Sequence, residues 1–228
     1  MRTVGLIGGM SWESTTTYYT LINRGINSAL GKSHSAKILL YSFDFQKIEE
    51  LQLAGDWLTL KKRIVGAGQI LKRAGADLIV LCTNTMHKVA GDFEKQVGIP
   101  LIHIADAVGQ TVVEQGIKTI GLLGTTFTME ERFYKEILEE QYQLTVVIPE
   151  KVDREAVNSI IYNELVRGIV SATSKDRYFD IMDKLTGQGA QGIILGCTEI
   201  GLLITTYKAP LIDSTIVHAR AAVERMLK

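Results

Sequence analysis

The chain has 228 residues, 46% of them hydrophobic and 22% charged, and its 25 basic and 25 acidic side chains give a formal net charge of +0. This is ordinary globular composition, long enough for one large or two small units with a real core. With no basic tail or Lys/Arg cluster, no apolar run of membrane length and no secretory leader pattern, nucleic-acid and membrane partners are not expected and a cytoplasmic location is.

In chain order, short apolar runs alternate with amphipathic stretches. TVGLIG from Thr3, AKILLYSF from Ala36, ADLIVLC from Ala76 and PLIHI from Pro100 read as strands. So do TIGLLG from Thr119, LTVVIP from Leu144 and GIILGC from Gly192. Several are continuously apolar, the pattern of strands covered on both faces in a parallel sheet. Between them, Trp57 to Ala74 and Asn158 to Ala172 carry apolar residues three and four apart and read as helices. The alternation predicts an α/β fold.

The sequence also repeats itself. TVGLIGGMSWES resembles TIGLLGTTFTME, ADLIVLCTNT resembles AQGIILGCTE, and IPLIHIADA resembles APLIDSTIV, in the same order. This is the signature of a duplicated unit with small deletions. It predicts two pseudo-symmetric parallel-sheet α/β domains facing across a cleft. Residues 1–100 form the first and residues 101–215 the second, with a last helix at 216–228 packing back on the first. Loops at the carboxyl ends of the strands are where such units hold ligands.

The repeat matches the loop LCTNTMHK to LGCTEIGL, aligning Thr83 with Cys197 and Cys82 with Gly196. Neighbouring strand residues point to opposite sides, so Cys82 and Thr83 cannot both face the ligand in the same way. Asn84 and Thr85 in the first loop, and Thr198 and Glu199 in the second, are candidate anion binders. Gly8, Gly9, Met10 and Ser11 after the first strand, and Gly124, Thr125 and Thr126 after the fifth, are loops that let backbone approach a ligand. GLIGGM is not a complete dinucleotide fingerprint. The two cysteines and four histidines have no zinc spacing, and two cysteines so far apart in a reducing compartment predict free thiols. No cofactor and no metal are expected.

GLIGGMSWEST, NTMH after the ADLIVL strand, and GCTEIGLL together resemble the aspartate/glutamate racemase superfamily, and within it a broad-specificity or L-aspartate/glutamate-specific amino-acid racemase branch. The resemblance runs through almost the whole chain. It implies a homodimeric enzyme of two pseudo-symmetric domains that racemises a small-molecule amino acid with two opposed thiols and neither pyridoxal phosphate nor metal. Inverting an α-carbon requires one group to remove the proton and another to return it on the opposite face, each within hydrogen-bond reach. A thiolate suits the first task when the site lowers its pKa, and nearby donors stabilise the charge moving onto the carboxylate.

This chain departs from the family pattern at Thr83, where most relatives have Cys. A Thr hydroxyl is a poor base unless another group activates it. The resemblance therefore implies a lopsided pair: Cys197 deprotonates the L-isomer, and Thr83, or a water beside it, delivers a proton to the other face. Met10, Gln52, Asn84, Thr85, Thr126, Thr198 and Glu199 are the candidate substrate-binding residues. Gln52 and Glu164 fall where aspartate racemases carry basic residues for the side-chain carboxylate, which points to a broader range. Glu199 stands where glutamate racemases carry His, in an orienting position. Same-fold decarboxylases or isomerases, and an amino-acid-binding protein with impaired catalysis, are the alternatives.

Other residues read as structural. His87 is a packed or capping residue four places after Thr83, or an orienting one. His103 and Asp106 read as a strand-end polar pair, and Trp12 and Trp57 as packing residues. Tyr18 and Tyr19 read as the start of the first helix, packed between units, and Lys61, Lys62 and Arg63 as a solvated face.

Overall fold

The computed structural model describes all 228 residues. They form two compact units, one of Met1–His103 with His218–Lys228 and one of Ile104–Val217.

The first unit runs β1 (Val4–Gly8), α1 (Trp12–Leu30), β2 (Ile38–Ser42), α2 (Phe45–Leu53), α3 (Trp57–Arg73), β3 (Leu78–Leu81), a 3-10 turn (Thr85–Val89), α4 (Phe93–Val97) and β4 (Leu101–Ile102). Its four strands form a parallel sheet in the order β2-β1-β3-β4. Every residue of β1 and β3 is buried, as their continuous apolar runs require. Strand alternation divides them between two cores. Ile7, Ile79 and Leu81 pack with Leu60, Ile64 and Leu71 of α3. Val4, Leu6, Leu78, Val80 and Cys82 pack with Tyr18, Ile22 and Ile26 of α1 and with Ala219, Ala222 and Met226. Each such aliphatic side chain contributes about 1.5–3 kcal/mol by leaving water.

The second unit runs α5 (Ile104–Glu114), β5 (Thr119–Gly124), α6 (Thr126–Glu130), α7 (Arg132–Glu136), a π-type turn (Ile137–Gln141), β6 (Thr145–Val147), α8 (Lys151–Asn163), a 3-10 turn (Leu165–Arg167), α9 (Ala172–Gly187), β7 (Ile193–Gly196), α10 (Ile200–Leu203) and β8 (Leu211–Asp213). Its parallel sheet has the order β6-β5-β7-β8, the strand order of the first unit repeated. One face packs Leu123, Ile193 and Leu195 with Val157, Ile161, Tyr178 and Leu185. The other packs Ile120, Leu122, Ile194 and Ile212 with Val108, Val112, Tyr134 and Leu138. The last helix, α11 (Ser214–Leu227), begins two residues before the expected Ile216.

Several local expectations are corrected. The stretch from Asn158 to Ala172 is not one helix. Helix α8 ends at Asn163, Gly168 takes a left-handed conformation (φ +73°), and Ser171 caps a new helix through the Ser174 amide. Apolar spacing runs through the break because Leu165 stays in the core, while Ile169 and Val170 are exposed. Tyr18 and Tyr19 do not open α1, which begins at Trp12 under a Ser11 cap; Tyr18 is fully buried and Tyr19 half-exposed. Trp12 is 68% exposed and does not pack. Trp57 does pack against the α3-side core, and it carries the Lys88 ammonium 3.7 Å above its ring.

Candidate active site

In the first unit the register pairs Ile7 with Leu81, so the loops after β1 and β3 leave the sheet at the same end. Gly9 adopts φ +82°, and a Cβ there would stand 2.3 Å from the Phe43 carbonyl oxygen, so only glycine fits this turn. The Gly9 amide donates to Thr15 Oγ1 at 2.8 Å, and Ser11 Oγ accepts from the Ser14 amide. Met10 is buried in the α3-side core.

After β3, Cys82 turns inward. Its side chain lies in the core beneath α1, its carbonyl accepts from Ser14 Oγ at 3.1 Å, and burial pushes its thiol far up. Thr83 points the other way and is part-exposed, and its hydroxyl has no hydrogen-bond partner. Its carbonyl sits 2.8 Å from His87 Nδ1, so that nitrogen carries the proton. Asn84, Thr85 and His87 are buried, and Gln52 Nε2 reaches Met86 Sδ at 3.2 Å.

Behind this loop lie three histidines. The His87 and His103 ring centroids are 4.5 Å apart, and those of His87 and His218 are 5.6 Å apart. His218 Nε2 lies 2.8 Å from the Ile102 carbonyl, an acceptor only, so Nε2 donates; Tyr18 Oη, 2.8 Å from Nδ1, is then the donor on the other side. Burial holds all three rings neutral, with His103 and His218 lowered to about 4, and His87 is depressed further by its two neighbours. No group of three or more His, Cys, Asp or Glu side chains is placed to hold a metal ion.

The second unit repeats the arrangement with other chemistry. Gly124 pairs with Gly196. A Cβ on Gly196 would stand 2.8 Å from the Leu123 carbonyl oxygen, and one on Gly124 would stand 2.9 Å from that of Gly196. Thr125 caps α6 through the Thr128 amide, and the part-exposed Thr126 donates its amide to Asn158 Oδ1 at 2.9 Å. At the end of β7, Cys197 Sγ donates to Glu199 Oε2 at 3.0 Å, and Thr198 Oγ1 donates to the same oxygen at 2.6 Å. Burial first, and the Glu199 carboxylate second, push the Cys197 thiol well above its ordinary range. The direction is opposite to the lowering expected for a thiolate base: the sulfur points its proton at a buried carboxylate.

The sequence profile of the Asp/Glu/Hydantoin racemase family matches residues 7–222. The chain belongs to that family. Its members are isomerases, and membership supports amino-acid racemase activity. A crystal structure of a protein from Yersinia pestis assigned to the Asp/Glu racemases is 53% identical, with a TM-score of 0.94 over 100% of both chains. An aspartate racemase homologue from Pyrococcus horikoshii OT3 is 33% identical, with a TM-score of 0.86 over 100% of both chains. The broad-specificity amino-acid racemase RacX of Bacillus subtilis is 22% identical across 98% of each chain. No helix of this racemase-family chain is long and apolar enough to cross a membrane.

The strand ends of the first unit thus gather Met10, Thr83, Asn84 and Thr85, with Gln52 joined to them through Met86. Those of the second gather Thr126, Cys197, Thr198 and Glu199. Asp106 lies on α5 and hydrogen-bonds Tyr142. The Glu164 carboxylate accepts from Ser174 Oγ at 2.6 Å, and burial first, then Cys197 and Glu164 nearby, push the Tyr178 phenol well up. Lys61 is not simply solvated, since it pairs with Asp92.

Sequence reasoning missed Ser14, Asn158, Tyr178 and Asp213. The last had a signal: it is the repeat counterpart of His103.

Proposed function

We propose that this racemase inverts the α-carbon of a free amino acid, with Cys197 removing the proton from the L-isomer and Thr83, or a water beside it, returning a proton on the opposite face. The Cys197–Glu199 hydrogen bond carries the reading. Glu199 takes the thiol proton, leaving a thiolate. The thiolate takes the α-proton and becomes a thiol again, the electron pair moves into the α-carboxylate, and a hydroxyl proton is delivered to carbon. That hydroxyl is reprotonated from water, and Glu199 gives its proton to the hydroxide so formed, so the balance closes. Met10, Gln52, Asn84, Thr85, Thr126 and Thr198 hold the substrate, and no cofactor takes part.

Incubation with single L-amino acids in D₂O, with aspartate, glutamate and neutral side chains in the panel, tests this. Cys197-dependent α-deuteration is the expected result. The unpartnered Thr83 hydroxyl favours one other reading, an amino-acid-binding protein with impaired catalysis; binding without exchange in every member of the panel selects it.

A further inference from the structure

The repeat that aligns Thr83 with Cys197 also aligns His87 with Gly201 and His103 with Asp213. In the first unit the pair is two stacked imidazoles behind the Thr83 loop. In the second it is a glycine and a carboxylate. A Cβ on Gly201 would stand 2.6 Å from Asp213 Oδ2, so the carboxylate occupies the space over the first turn of α10 that a side chain at 201 would fill. The opposite oxygen is anchored, since Asp213 Oδ1 accepts from the amides of Thr215 at 2.8 Å and Ile216 at 3.2 Å. Asp213 pairs in register with Leu195, two residues before Cys197, and the next residue, Ser214, donates its hydroxyl to the Leu195 carbonyl at 2.8 Å. The Cys197 carbonyl in turn accepts from Ile200, the residue before Gly201.

We propose that Asp213 is a positioning residue for Cys197, a second fixed carboxylate seated over the first turn of α10, directly after the loop that carries Cys197 and Glu199. The proposal rests on the racemase reading for its purpose and not for its test. An α-proton beside a carboxylate is a very weak acid, and a base of higher pKa removes it faster once ionised. Two carboxylates near one thiol leave fewer thiolates, each more basic. The sulfur donates to Glu199 of its own loop, and the charges of Asp213 from β8 and of Tyr178 from α9 also reach it; Asp213 accepts from the Thr215 amide and acts on the buried Tyr134 phenol of α7. None is cationic. The Thr83 loop, backed by neutral imidazoles, has no such base-strengthening group, which suits a residue that only returns a proton.

The test is Asp213→Asn. An Asn oxygen still accepts from the two amides, so the start of α11 keeps its cap. The first readout is the pH dependence of Cys197 alkylation by iodoacetamide, followed by mass of the modified peptide. The midpoint is expected to fall by about one pH unit, giving about ten-fold faster alkylation at a pH below both midpoints. In D₂O the maximal α-deuteration rate from the L-isomer is expected to fall several-fold, with its pH profile displaced to lower pH. An unmoved alkylation midpoint overturns the proposal, whatever happens to activity. A wild type without exchange, but with the alkylation midpoint moved in the variant, leaves the Asp213 assignment standing and removes the racemase reading. Should Asp213→Asn fail to fold, Gly201→Ala displaces the carboxylate without removing its charge. It must then move the midpoint in the same direction, and no movement overturns the proposal.

Discussion

Cys197 Sγ and Glu199 Oε2 lie 3.0 Å apart with the thiol as donor, and Thr198 donates to the same oxygen. One carboxylate oxygen thus binds two protons it does not own, inside a buried site. A carboxylate there disfavours the thiolate by charge while being the group best placed to take its proton. Glu199→Gln removes the charge and the proton acceptor but keeps the shape. Its pH profile for exchange from the L-isomer should begin at lower pH, and its maximal rate should fall about a hundred-fold or more, the range of a lost general base. A profile that moves while the maximal rate stays at the wild-type value would show that Glu199 takes no proton.

The two cysteines should respond in opposite ways to the same substitution. Cys197→Ser replaces the base with a hydroxyl and should reduce exchange from the L-isomer by about three orders of magnitude or more. Cys82→Ser places a hydroxyl among Leu6, Tyr18 and Val80, so it should lower the urea midpoint by the equivalent of about 1–3 kcal/mol while exchange by the folded protein stays near wild type. A Cys82→Ser protein that is folded and inactive would reverse the assignment.

At equilibrium the enantiomers of a substrate with one stereocentre have equal energy in water, so only rates can be lopsided. A thiol beside a carboxylate and a hydroxyl without a partner should make α-proton exchange from the L-isomer faster than from the D-isomer by on the order of ten-fold or more, about 1.4 kcal/mol of barrier. Thr83→Cys should raise exchange from the D-isomer and leave the L-isomer less changed. Equal initial deuteration rates from both enantiomers in the wild type would sink the one-base scheme.

Much of this was legible in the sequence because two periodicities carried it. Continuous apolar runs such as LIVL and IILG could only be two-sided strands, and the repeat carried their order from one unit to the other. Thr83 and Cys197 followed from the same alignment, and strand alternation sent Cys82 to the core. What was not legible depends on side chains meeting across the fold. Asp213, Ser214 and Gly201 are ordinary residues along the chain and form a support only when β8 lies beside β7. The helix break after Asn163 was hidden because Leu165 continues the apolar spacing, and Gly168 shows its purpose only through its positive φ. The thiol's direction of shift was missed because Glu199 was read as an orienting residue, not as a charge hydrogen-bonded to sulfur.

The buried histidines set the acid limit of the first unit. His103 and His218 are lowered to about 4 by burial, whereas an unfolded chain protonates them near ~6.5. Between these values the unfolded state binds more protons than the folded one, so unfolding free energy rises with pH there. Above ~6.5 both rings are neutral in either state and the stability is fully present. As pH falls from ~6.5 towards 4 it is lost, at on the order of 3 kcal/mol for each ring, and below 4 these two rings take no more. His218 has further to lose, because its Nδ1 accepts from Tyr18 and protonation removes that acceptor. Urea unfolding of the first unit, followed at pH 7.5, 6.5, 5.5 and 4.5, should show a midpoint that is flat across the upper pair and falls across the lower three. His218→Gln should be less stable than wild type at pH 7.5, through the lost Tyr18 bond and packing, yet lose less between pH 6.5 and 4.5. A wild-type midpoint that stays level down to pH 4.5, or a His218→Gln slope as steep as wild type, would mean that the ring is not held neutral by its burial.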